Sequence, residues 1–83
     1  MAQYTYPAIF HTASDGISVS FPDLPGALTC GYDPKEALRM AAECLTLHLC
    51  GMIRDGDEIP EPTPADRVVL DENEHVEIIV AAL

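Results

Sequence analysis

An α+β fold of two layers, one helix laid over a small sheet, is what this chain predicts, and three features predict it. Ile17, Val19 and Phe21 alternate with Ser18 and Ser20, the period of two that buries one face of a strand. Leu38, Ala41, Ala42, Leu45, Leu49 and Met52 recur at intervals that trace a stripe along a helix. Val76 to Ala82 is a last apolar run without turn residues. Taken with a short segment before the helix, the order along the chain is β-β-β-α-β: a three-stranded meander, a helical crossover and a final strand.

Each element has a local cause. Tyr4 to Phe10 is rich in aromatic and branched residues and reads as the first strand, and Ala13-Ser14-Asp15-Gly16 supplies a polar hairpin turn. Phe21 closes the second strand. Pro22 and Pro25 then fix φ and remove donors, and Gly26 permits the reversal into a short third strand that ends at Gly31. Asp33 stands at the N-cap with Pro34 at the first helical position, Glu36 completes a capping-box arrangement, and Ala37 opens the helix body. The helix can stop at Gly51 or Gly56; Gly56 is the better stop because Met52 continues the stripe. Asp57 to Asp66, with three prolines and four carboxylates, reads as an extended surface connector.

The 83 residues make a single domain, 1–83, and a chain this short buries roughly 60–65% of the surface it exposes when unfolded. Self-association is the expected supplement, as a homodimer or higher oligomer. Its expected interface is Val76, Ile78, Ile79 and Val80, which are apolar on both sides of the last strand. Fourteen acidic residues against four basic ones give a formal charge of −10, which repels phosphate backbones and anionic lipid. Lys35, Arg39, Arg54 and Arg67 are scattered, so no basic stripe for nucleic acid can be drawn. A basic protein is the natural partner; the acidic cluster Asp55, Asp57, Glu58, Glu61 and Asp66 has the ordinary reading of a solvated connector, and its first four residues are the candidates for contact with that partner. An odd number of cysteines, no basic leader and no apolar run near 20 residues together predict a cytoplasmic protein with free thiols.

The chemistry of catalysis is not written in these residues. Cys44 and His48 are four apart on the helix, but Cys50, His11 and His75 have no spacing that completes a metal site. No nucleophile elbow, Gly-rich phosphate loop or Walker pattern occurs, so no enzyme and no cofactor are expected.

As a string, FPDLPGALTCGYDPKEAL resembles the signature of the HicB-like antitoxin family, and Ile59-Pro60-Glu61-Pro62 is similar to that family's segment after the helix. The resemblance runs from about Tyr4 to Val80 and marks Phe21, Pro22, Asp23, Leu24, Pro25, Gly26, Gly31, Asp33, Glu36 and Ala37 as its structural signature. It implies a partial RNase H-like fold whose last strand lies parallel to the first. It also implies a chain that binds and occludes a small, basic, HicA-type toxin that cleaves messenger RNA. A metal-dependent nuclease of RNase H type would need a carboxylate on the first strand, and YTYPAIF has none. Many family members carry a C-terminal DNA-binding module; with the sequence stopping at Leu83, none is expected here. The alternative reading is a stand-alone self-associating module with an unrelated protein or small-ligand partner.

Overall fold

The computed structural model describes residues 2–83. Strands β1 (Gln3–Ala13), β2 (Gly16–Ser20) and β3 (Leu28–Gly31) form a meander, helix α1 spans Pro34–Arg54, and strand β4 spans Glu74–Ala82. They build one four-stranded sheet in the order β3-β2-β1-β4 with α1 against one face. A single 3-10 turn, Ala65–Arg67, interrupts the connector between α1 and β4. The α+β architecture and the β-β-β-α-β order are those the sequence predicts.

β1 is longer than its aromatic run, because its second half pairs with β2 from Ile9↔Ser20 to Ala13↔Gly16 and its full length pairs with β4. The side chains alternate cleanly. Tyr6, Ala8 and Phe10 from β1, Ile17 and Val19 from β2, and Ile79 and Ala81 from β4 meet Ala37, Ala41, Leu45 and Leu49 of α1 in the core. The buried ridge is therefore a strict i, i+4 series. Leu38, assigned to the stripe by spacing, is instead 42% exposed, since the ridge runs through its neighbour Ala37. Small residues stand at the start of that ridge because α1 begins almost in contact with β3.

α1 ends as its composition predicts. Asp55 is the C-cap, Gly56 takes a left-handed φ of 75°, and the Gly56 and Asp57 amides donate back to the Ile53 and Met52 carbonyls at 3.1 and 2.9 Å. This pair of bonds is a Schellman motif, which needs a residue free of Cβ strain at that position. Gly51 lies inside the helix.

The direction of the last strand corrects the expectation drawn from the resemblance: β4 is antiparallel to β1, from Gln3↔Ala82 to His11↔Glu74. α1 carries the chain back to the end of the sheet where β1 starts, and a strand beginning there would be parallel. Residues 55–73 instead return the chain to the opposite end, where the Thr12 amide donates to the Asn73 carbonyl at 2.9 Å. β4 therefore runs down alongside β1.

Candidate partner-binding site

The C-terminal end of α1, the Phe21–Gly26 turn and the start of the connector converge at one end of the molecule. Between them lies a cleft of about 620 Å³ with Leu24, Pro25, Leu47, Met52 and Pro60 in its walls and Asp55, Asp57 and Glu58 on its rim. Three of the four sequence-predicted acidic residues are thus brought together. Glu61 lies beyond Pro60 in an adjoining groove with Tyr4, Tyr6 and Ile59. Asp55 has Arg54 at 3.8 Å, whereas Asp57, Glu58 and Glu61 have no ion-pair partner among the described residues. Arg39, nearer the start of the helix, is committed elsewhere, to Glu43 at 2.8 Å and Glu36 at 3.8 Å. Asp23 and His48 also line the cleft. Asp57 and Glu58, unpaired among the described residues, stand beside Leu47 and Met52 and give this end both a long-range field and a surface to desolvate.

The signature residues hold this end in place. Phe21, Leu24 and Ala27 are buried, and Gly26 turns the chain at φ 91°. Asp23 does what no spacing in the sequence foretells: its carboxylate accepts from the Thr63 amide at 2.9 Å and the Thr63 hydroxyl at 2.5 Å, forty positions downstream. The Tyr6 hydroxyl donates to the Pro60 carbonyl. These contacts clamp the connector under the helix and set where the acidic rim stands. At the other end of α1 the Asp33 carboxylate accepts from the Glu36 amide and the Glu36 carboxylate from the Tyr32 amide, both at 2.8 Å. The capping box closes one residue earlier than its usual form, on Tyr32 and not on Asp33 itself.

Asp23→Ala is expected to cost about 2 kcal/mol, the loss of two bonds to a charged acceptor. Trypsin cleavage after Arg67, in the connector, should accelerate in that variant. An unchanged cleavage rate and unfolding midpoint would remove Asp23 from this role.

Burial raises the Tyr6 phenol above its ordinary 10.0, and the charges of Asp23, Tyr4 and Glu61 add to the shift. The fold therefore favours the protonated hydroxyl, a contribution complete below pH 10 and lost as pH rises through the raised value. Tyr6→Phe should cost about 1 kcal/mol at neutral pH by orphaning the Pro60 carbonyl. It should also flatten part of the alkaline fall in stability, measured by urea unfolding across that range. Burial also raises the Cys44 thiol, whose S–H faces the Leu28 carbonyl at 3.7 Å.

Sequence reasoning missed one wall of the cleft. Leu47 is 74% exposed and sits two positions from both Leu45 and Leu49, which face the core. A leucine in antiphase with the buried stripe was the available signal. Of the four residues predicted for self-association, Val76, Ile78 and Val80 lie on the sheet face away from α1, and Ile78 and Val80 are about half exposed. Ile79 points the other way and is buried in the core, so its side chain has no surface to offer.

The family model for HicB-like antitoxins of bacterial toxin–antitoxin systems matches residues 6–83. Antitoxin HicB 2 of Photorhabdus laumondii is 41% identical over 70% of the chain, and an uncharacterised 14.9 kDa protein of Haemophilus phage HP1 is 32% identical over 94%. The chain spans about half the length of these curated relatives, 42% and 58% respectively. A toxin–antitoxin complex from Streptococcus pneumoniae contains a chain that superposes with a TM-score of 0.89 at 22% identity, over 98% of this chain and 70% of that one. The solved HicA3 and HicB3 toxin–antitoxin complex contains another, at 0.78 and 20%, over 96% of this chain and all of that one.

Proposed function

Because this chain belongs to the HicB-like antitoxin family, we propose that it binds and neutralises a small, basic, HicA-type toxin that cleaves messenger RNA. In this reading it acts in the cytoplasm as a binding protein, catalyses nothing and does not itself contact nucleic acid. The observation that carries the reading is the acidic rim Asp55, Asp57 and Glu58 around a cleft walled in part by Leu47 and Met52, in a chain of net charge −10. A toxin that handles RNA must present positive charge, and an acidic partner gains association rate and selectivity from the complementary potential. The HicA3 and HicB3 toxin–antitoxin complex, one chain of which shares this fold, supports the pairing. The chain is also held to self-associate through β4.

Co-expression with the small reading frame beside its gene tests this. The neighbour should arrest growth alone, lose its toxicity in the presence of this chain, and co-purify with it. A harmless neighbour, or one that fails to bind at low salt, would sink the antitoxin reading in favour of a self-associating module with another partner.

A further inference from the structure

The two edges of the sheet are not alike. β3 is short, and its Leu28 carbonyl faces the Cys44 thiol of α1. β4 is nine residues long, with no proline, lysine or glycine, and its charged residues, Glu74 and Glu77, stand in its first half, leaving Ile78–Ala82 without a device that keeps an edge from pairing. Its free backbone groups can be located. Ala2 and Leu83 exchange both backbone bonds, at 2.9 and 2.8 Å. In an antiparallel ladder bonded pairs alternate, so Ala81, Ile79, Glu77 and His75 turn their amides and carbonyls to β1. Glu74, Val76, Ile78 and Val80 turn theirs outward. The Glu74 amide is taken by the Asp71 carbonyl at 3.3 Å; among the described residues, no other segment bonds to the outward groups of Val76, Ile78 and Val80.

We propose that the occupant of this edge is β4 of a second copy, paired antiparallel with Ile78 on the two-fold axis to give a continuous eight-stranded sheet. This rests on the self-association held above and specifies its geometry; it is independent of any toxin. The charge pattern selects the register. Glu74, His75 and Glu77 lie at one end and Ile78–Ala82 carries no charge, so antiparallel pairing sets the titratable end of each copy against the neutral end of the other. With Ile78 opposite Ile78, Val76 meets Val80, Glu74 meets Ala82, His75 meets Ala81 and Glu77 meets Ile79. All nine residues pair and no like charges face each other. Moving the axis to Glu77 would set two carboxylates opposite one another; parallel pairing in register would do so twice. The outward groups of Val76, Ile78 and Val80 also fall in the bonded pairs this register requires.

The test uses the chain alone, with Cys30→Ser, Cys44→Ala and Cys50→Ser as background. Opposed residues of a bonded pair lie about 5.5 Å apart at Cα, within disulfide reach. Under mild oxidation Ile78→Cys should form a covalent dimer, Val80→Cys alone should not, and an equimolar mixture of Val76→Cys and Val80→Cys should. In the native chain Ile78→Lys should raise the dimer dissociation constant at least about tenfold while leaving the circular dichroism unchanged. Dimerisation of copies that each carry −10 should tighten as salt rises, opposite in sign to capture of a basic toxin. A dimer that survives Ile78→Lys, or cross-links equally through Val80→Cys alone, overturns the β4 register and leaves self-association standing. A monomer at tens of micromolar in physiological salt overturns both, and neither result touches the toxin reading.

Discussion

Gly31→Ala is expected to destabilise the domain by about 3 kcal/mol, at the upper end of what forced packing costs. A Cβ built on Gly31 would stand 2.5 Å from the Ala37 nitrogen, 2.7 Å from the Ala37 Cα and 3.0 Å from the Glu36 carbonyl carbon. These are backbone atoms of the first turn of α1, so no side chain can swing aside. Either the helix start lifts from β3 or β3 shifts against β2, and both open the packing around Ala37 and Ala41, which are fully buried. The shift would also disturb the Asp33 and Glu36 caps, which lie in the same turn. In a domain of this size the midpoint should fall by about 12–24 °C. Gly26→Ala is the comparison: nothing lies within 4 Å of its Cβ position, and only its φ of 91° is strained, so about 1 kcal/mol is expected. Equal losses at the two glycines in thermal unfolding would show that the close approach of α1 to β3 is not what Gly31 provides.

Capture of a basic toxin should depend on the acidic rim through its rate. Reversing Asp55, Asp57 and Glu58 to Lys together changes three charges by two units each and takes the chain from −10 to −4. All three residues are exposed, so the fold should be unaffected. Association at low salt should slow by about tenfold to a hundredfold, the range that electrostatic steering supplies. In the unmodified chain, raising salt to physiological strength should slow association far more than dissociation. Affinity that remains must come from desolvated apolar contact, for which Leu47 and Met52 in the cleft wall are placed. Glu61→Lys alone, in the adjoining groove, should have the smaller effect. If the triple reversal leaves the stopped-flow association rate unchanged, the toxin docks elsewhere.

Local chemistry made most of the elements legible in the sequence. The alternation in Ile17–Phe21, the cap at Asp33-Pro34 and the stop at Gly56 are signals read over a few residues, and each element forms there, with β2 ending at Ser20, one residue short of the buried Phe21. The acidic cluster was legible because charge is a matter of composition, and the three of its residues that share the cleft, Asp55, Asp57 and Glu58, are close together in sequence. What tertiary structure decided is of another kind. That β4 runs antiparallel depends on residues 55–73 doubling back along the sheet, a path held by contacts between Asp23 and Thr63 and between Tyr6 and Pro60. Those partners are 40 and 54 positions apart, and no periodicity encodes a pairing at that distance. The pattern of Val76–Ala82 showed two apolar sides without saying which would be covered. Pairing with β1 settled it, burying Ile79 and Ala81 beneath α1 and leaving Ile78 and Val80 half exposed. Propensity and charge are properties of neighbouring residues; direction, register and burial arise only when distant segments must share one core.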